Sequence, residues 1–338
     1  MKHCGSQYPC LAGRQVDLRF LNNPILLVVR RSIRIWDKFW FSRFDPLSLG
    51  VFRIALGILI MTWYLALYVN WEEYYGKLGN IWLYETHAIT SYSSWLNVFR
   101  WTKDLIPIRV FWWSGFLSAA AFTAGWRTKL FAIILFIMQS SIINQNIMLV
   151  NGEDSVFRMF LFYSMFAPLG YSLSVDRYLL KKKQKNYLPQ KEEWPMIWAV
   201  RAMQLNFIAI YVFSLPNKLA DDIAWINGDA IYLSMVSSMW SRQLCPEFFY
   251  LFDGLFSKIA TYGTILIEAT FPILVWFPRT RMFSLLALAF LHISIAVVLN
   301  GVAFFTLAMV CGLITFIPQE CIKRVFVKFN WSRVFCLN

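Results

Sequence analysis

Charge is scarce in this chain. Only 15% of its 338 residues are Asp, Glu, Lys or Arg, against 58% apolar and 18% aromatic. A soluble domain carries about 25% charged and about 45–50% apolar residues, which argues against a water-soluble globule. Disorder needs low hydrophobicity and is disfavoured as well. Acidic residues are the scarcer kind, 19 against 32 basic, for a net charge of +13. No basic soluble module stands apart, so the excess does not read as a nucleic-acid interface. Histidine is nearly absent, with only His3, His87 and His292. Without an HExxH or CxxC pattern no metal set is legible. The six cysteines (Cys4, Cys10, Cys245, Cys311, Cys321, Cys336) form no disulfide framework and read as free thiols. Walker, GxGxxG and nucleophile-elbow motifs are missing too, which removes the sequence signs of nucleotide use and of serine hydrolase chemistry. Residues 1–24 lack the continuous apolar core of a signal peptide.

What the chain has is apolar runs, with a mean hydropathy of +0.51. Stretches that suit a bilayer crossing of about 17–25 residues lie at 47–69, 107–124, 130–148, 155–173, 196–215, 259–277, 282–299 and 301–318. The expected fold is all-α, a polytopic transmembrane helical bundle of about eight spans. A basic segment 1–43 precedes it, the membrane domain covers 44–318, and a basic tail 319–338 follows. With the N-terminus in the cytoplasm, segments 1–46, 125–129, 174–195, 278–281 and 319–338 hold 22 of the 32 Lys and Arg residues. That obeys the positive-inside rule and makes both termini cytoplasmic. The Lys181–Lys183 run then meets anionic headgroups. Gly115, Ala119 and Thr123, at four-residue spacing, read as a close helix-packing face.

This topology gathers polar residues on the outer side, at Trp71–Lys77, Asn151–Asp154, Pro216–Asp222 and Trp225–Asp229. Ionisable residues inside spans mark function or buried pairs. Asp154 and Arg158, four apart, are expected to face one another on one helix side. Arg53 and Arg201 lie near the inner ends, where they can snorkel. Glu268 and His292, on consecutive antiparallel spans, are expected to meet at similar depth as a hydrogen-bonded pair or a proton relay. Pro272 follows one turn after Glu268 and bends the helix. Pro216 is expected to end the fifth span just before Lys218, and the segment through Trp225 and Gly228 to Tyr232–Trp240 reads as interfacial or re-entrant. A lysine held there is either a neutral-amine base, through lost hydration, or a headgroup-seeking interfacial residue.

At these residues a family pattern emerges. Phe44-Asp45-Pro46-Leu47-Ser48-Leu49-Gly50-Val51-Phe52-Arg53-Ile54 resembles the start of the HTTM domain, the membrane domain of vitamin K-dependent gamma-carboxylases. The resemblance continues through Asn151-Gly152-Glu153-Asp154 with Arg158, Ser174-Val175-Asp176, Arg201 with Gln204, and Lys218-Leu219 with Trp225, Gly228 and Ala230. It ends with Glu268, Pro272, Arg281 and His292. It implies a lumenal or external reactive site in which Lys218 is the base toward a reduced quinone. The turn of Asn151, Glu153 and Asp154, with Arg158 and Trp225, would line the substrate side, and Glu268 and His292 would join the catalytic set. The acid at Glu153, where carboxylases have a histidine, and the lack of a large lumenal domain depart from glutamate carboxylation. The compact form is more similar to the bacterial branch of sporulation-delaying toxin maturation proteins. That branch implies a multi-pass protein of the bacterial inner membrane that matures an exported peptide with a small accessory protein. The alternatives are a quinone-dependent carboxylase and a non-catalytic scaffold, immunity protein or transporter.

Overall fold

A backbone surrounded by hydrocarbon must satisfy its N–H and C=O groups within its own segment, and helices dominate here. The computed structural model describes residues 24–75, 96–98, 107–145, 149–183, 194–221, 223–237, 241–242 and 246–328. In chain order the helices are α1 (Pro24–Phe41), α2 (Leu47–Leu67), α3 (Trp71–Tyr75), α4 (Ile108–Ala124), α5 (Thr128–Gln145), α6 (Gly152–Ser164) and α7 (Val175–Lys183). They continue with α8 (Trp198–Asp221), α9 (Ile223–Asn227), α10 (Ala230–Val236), α11 (Pro246–Leu274), α12 (Arg281–Val298), α13 (Ala303–Leu313) and α14 (Gln319–Lys328). Among the described residues, β pairing is confined to two isolated bridges, Arg43 to Met196 and Ser241 to Leu299.

The packing closes two rings. Helix α2 packs on α4, α4 on α5, α5 on α6, α6 on α13, and α13 back on α2. A second circuit runs from α6 to α8, α11, α12 and α13. Helices α6 and α13 belong to both, and they run parallel. Gly152, at the start of α6, lies against Phe305 near the start of α13, while Gly312, near the end of α13, lies against Phe160 of α6. A Cβ on Gly312 would stand 2.5 Å from the Phe207 ring and 2.7 Å from Phe160, so bare backbone is needed where α6, α8 and α13 converge. Phe207 carries the core onward, with the rings of Phe160, Phe271 and Phe316 at 6.1, 6.2 and 6.0 Å.

The small-residue face on α4 does what its spacing predicts. Thr123 lies against Gly57, Ala119 is fully buried, and Gly115 meets the ring of Tyr64, so α2 and α4 cross in close antiparallel contact. At one end of this pair Arg53 departs from the snorkelling expectation. It is fully buried and donates to the carbonyls of Leu169 (2.7 Å), Ser172 (3.1 Å) and Leu173. Asp176 anchors the neighbouring turn by accepting from the Arg127 and Thr128 amides at 2.8 and 3.1 Å. A guanidinium that satisfies three carbonyls of an irregular corner has no reason to reach for headgroups.

Four helices among the described residues are long and apolar enough to cross a membrane: α2, α5, α8 (Trp198–Ala220) and α12. Helix α13 with its terminal turn, taken with α14, makes a fifth only as a span bent by 101°. The expected run 155–173 is cut short. Helix α6 has 13 residues, about 20 Å at 1.5 Å per residue, and stops before Pro168, which cannot donate to a continuing helix. On α12, Phe283, Leu286, Phe290, Ile293 and Val297 form an exposed apolar stripe. A surface of that extent fits lipid better than water.

Because Thr123 leaves no room at Gly57, where an added Cβ would come within 2.1 Å of its Oγ1, Gly57→Ala should lower stability by about 1–3 kcal/mol. The midpoint of thermal unfolding in detergent reads this directly, and an unchanged midpoint would contradict the packing.

Candidate functional site

Lys218 sits on the last turn of α8. Pro216 does not end that helix as expected; it lies inside it, and α8 runs on to Asp221. The ring removes one amide donor, a local loss that the rest of the turn tolerates. Continuing the helix sets Lys218 two turns after Tyr211, on the same face. The Lys218 ammonium contacts Glu268 of α11 at 2.5 Å between Nζ and Oε2. The side chains are 21% and 8% exposed, so the pair is largely dry.

A third group completes it. The ring centre of Trp225, on α9, lies 4.6 Å from the ammonium, a cation–π distance. Helices α9 and α10 are short and meet at Gly228, whose φ of +86° is costly for a side-chain-bearing residue. They are stapled to α11. Ser257 Oγ donates to the Gly228 carbonyl at 2.9 Å, Tyr262 donates to the Ile226 carbonyl at 2.9 Å, and the Tyr232 amide donates back to Ser257 at 3.2 Å. The segment is two short helices rather than one long one, it holds Trp225 over Lys218, and residues 238–240 of the stretch expected to be interfacial or re-entrant lie outside the described residues.

Glu268 and His292 do not form the pair anticipated between them. Helix α8 supplies a partner to each: Lys218 takes Glu268, and Tyr211 places its hydroxyl 2.8 Å from His292 Nε2. The two pairs remain within electrostatic range of each other. His292 is 4% exposed, and its Nδ1 is buried with no hydrogen-bond partner. An orphaned ring nitrogen in the interior is unusual; the Tyr211 hydroxyl occupies the other nitrogen of the ring. Among the described residues no three His, Cys, Asp or Glu side chains gather as a metal set.

The turn of Asn151, Glu153 and Asp154 lies elsewhere. Asp154 is spent on structure, since one oxygen accepts the Asn151 amide at 2.9 Å, the reach-back half of a capping box, and the other accepts the Gln139 side chain at 2.9 Å. No close salt bridge joins it to Arg158, which is half-buried one turn on and whose charge still reaches it. Phe305 stands between this turn and the lysine site: it touches Gly152 on one side and lies 6.3 Å from the His292 ring on the other. Glu153 is buried two residues ahead of the apolar run, and burial pushes its carboxyl up to about 7. Tyr211 and Phe305 are the site residues that sequence reading missed. Tyr211 carried a signal, its seven-residue spacing from Lys218; Phe305 carried none, being one phenylalanine among 31.

No family model, curated protein or solved structure matches the chain. The likeness to the HTTM domain therefore rests on the residues quoted for it.

A proton-exchanging pair is the chemistry this arrangement offers. Transfer of one proton from Lys218 to Glu268 leaves a neutral amine, the basic form, next to a neutral acid. The carboxylate and the Trp225 ring both bear directly on the Lys218 ammonium. Removing one partner strands a charge in a dry place. Lys218→Met should cost about 3 kcal/mol, with most of it restored in the charge-neutral double variant Lys218→Met with Glu268→Gln. Unfolding midpoints of the two proteins test this, and equal midpoints would count against the pair. Glu153 sets a separate pH dependence. Its carboxyl holds a proton to higher pH in the fold than its ordinary value of 4.5, so its contribution is complete below about 4.5 and lost as pH rises through about 7. Glu153→Gln should flatten the fall in melting temperature over that window.

Proposed function

We propose that this is a multi-pass protein of the bacterial inner membrane that assists maturation of an exported peptide at the extracytoplasmic face, with the Lys218–Glu268 pair as its proton-handling centre. The observation that carries the reading is a lysine amine 2.5 Å from a buried carboxylate, under a tryptophan ring, on the last turn of α8. A base must be able to shed its proton into a defined acceptor, and Glu268 is that acceptor. The orphaned Nδ1 of His292 supports a polar substrate group or ordered water nearby.

The topology in this reading has eight crossings with both termini in the cytoplasm. Parallel packing of α6 and α13 supports it, because the fourth and eighth crossings of such a chain run in one direction. The HTTM resemblance adds that the oxidisable partner is a reduced quinone and that a small accessory protein serves the peptide. Glutamate carboxylation is the second chemistry for the same base, favoured by that resemblance through Lys218.

The experiment is secretion of mature peptide from cells that carry Lys218→Met with Glu268→Gln, the variant that keeps the site neutral. Protein level in the membrane is measured alongside. Mature peptide should fall at least about 100-fold, the range for loss of an acid–base group, while precursor persists. Undiminished peptide at normal protein level would assign the pair to structure and leave a scaffold. Incorporation of labelled bicarbonate, dependent on added hydroquinone, would select the carboxylase chemistry.

A further inference from the structure

The end of α8 opposite Lys218 carries a second constellation, and nothing in the site above uses it. Arg201 is the fourth residue of α8, seventeen before Lys218, or about 26 Å along the axis. That separation is close to the hydrocarbon thickness of a bilayer, about 30 Å. Arg281 opens α12 and bonds the Trp276 carbonyl, while the Trp276 ring lies 5.4 Å from the Arg201 guanidinium. Neither guanidinium has a carboxylate partner among the described residues. Arg201 donates to Gln204 Oε1 at 2.9 Å and leaves Nε buried and unpaired. Arg281 donates to the carbonyls just past the end of α11, Val275 at 2.9 Å and Trp276 at 3.3 Å. Two half-buried cations with no carboxylate partner among the described residues leave positive charge uncompensated here.

Aromatic rings frame the cations. Arg201 lies over Phe39 at 4.9 Å and over Trp276 at 5.4 Å, and those two rings are 5.5 Å apart. Trp40, the next residue on α1, has its indole N–H buried with no acceptor. Helix α1, inside the segment that the sequence reads only as a basic lead-in, is sharply two-sided. Arg30, Arg31, Arg34 and Lys38 lie on one side, and Val29, Ile33, Trp36 and Trp40 on the other. On the apolar side Val29, Ile33 and Trp36 are 46%, 53% and 62% exposed. An uncovered apolar face backed by a basic one is the pattern of a helix lying in the membrane interface. Arginine and tryptophan together at one depth are the residues of the headgroup zone.

We propose that the notch where α1 meets the start of α8 and the turn between α11 and α12 binds the phosphate of an anionic phospholipid. Arg201 and Arg281 supply the countercharge, the Trp40 indole donates to a phosphate oxygen, and the exposed face of α1 rests among the acyl chains of the same leaflet. The shared chemistry is an oxyanion of phosphorus. A lipid is the source the geometry favours over free phosphate, because α1, which brings Phe39 to Arg201, also carries the exposed apolar residues Val29, Ile33 and Trp36. The site ties the basic N-terminal helix to the bundle and depends on no chemistry at Lys218.

The full chain, reconstituted in phosphatidylcholine nanodiscs, tests it with spin-labelled phosphatidylglycerol against spin-labelled phosphatidylcholine. Wild type should immobilise the anionic lipid about tenfold more strongly, the effect of one charge-assisted hydrogen bond network worth a factor of ten in affinity. Arg201→Gln should bring the ratio close to one. Trp40→Phe keeps the ring and removes only the donor, so it guards against a folding defect and should lower the ratio about threefold with an unchanged unfolding midpoint. A wild-type ratio of one, or ratios unmoved by both variants, would overturn the site. Release of the labelled lipid by millimolar inorganic phosphate would reassign it to a free anion and overturn the lipid assignment.

Discussion

One ion pair ties this structure to its proposed chemistry. Lys218 and Glu268 join α8 to α11 at the level where α8 ends, and each makes the other tolerable in a dry place. The surrounding architecture reads as provision for that contact. Helix α8 continues past Pro216 far enough to present the lysine, α11 carries the carboxylate, and the broken α9–α10 segment, stapled by Ser257 and Tyr262, closes over it with Trp225. A buried pair contributes little to stability by itself, since desolvation offsets most of its attraction. In the proposed function the pair serves as a proton-handling centre rather than a stabilising device.

The two rings explain how such a site stays in place. Helices α6 and α13 serve both, and they approach closely because Gly152 and Gly312 leave the backbone bare against Phe305, Phe160 and Phe207. Between helices in lipid there is no hydrophobic driving force, so close packing of this kind carries the association. The aromatic core around Phe207 passes directly to Tyr211 and Phe271, and from there to His292 and Glu268. Packing and site are therefore continuous along one face of α8. The same helix ends in opposite chemistry: a lysine paired with an acid at one end, an arginine without one at the other.

Several sequence expectations failed for identifiable reasons. Pro216 looked like a terminator, but proline costs a single hydrogen bond and the turn beyond it is held by the pairing of Lys218. Glu268 and His292 looked like neighbours because their helices are consecutive; α8, distant in sequence, offered both a better partner. Asp154 looked like the mate of Arg158 by helical spacing, yet its oxygens were already taken by the Asn151 amide and by Gln139. In each case local periodicity identified the face of the helix and could not know which other helix would lie against it.

The residues by themselves determined the helical class, the apolar character, the close face of α4, the broken segment after α8 and the choice of Lys218 as the residue to watch. These follow from composition and from spacing along one chain, which depend on nothing beyond the chain's own neighbours. Tertiary structure alone decided that α6 is limited to 13 residues, that Arg53 is buried under three carbonyls, that Tyr211 rather than Glu268 meets His292, and that Arg201 lies over Phe39 and Trp276. Those are contacts between segments far apart in sequence, fixed by which surfaces fit, and no periodicity encodes a fit.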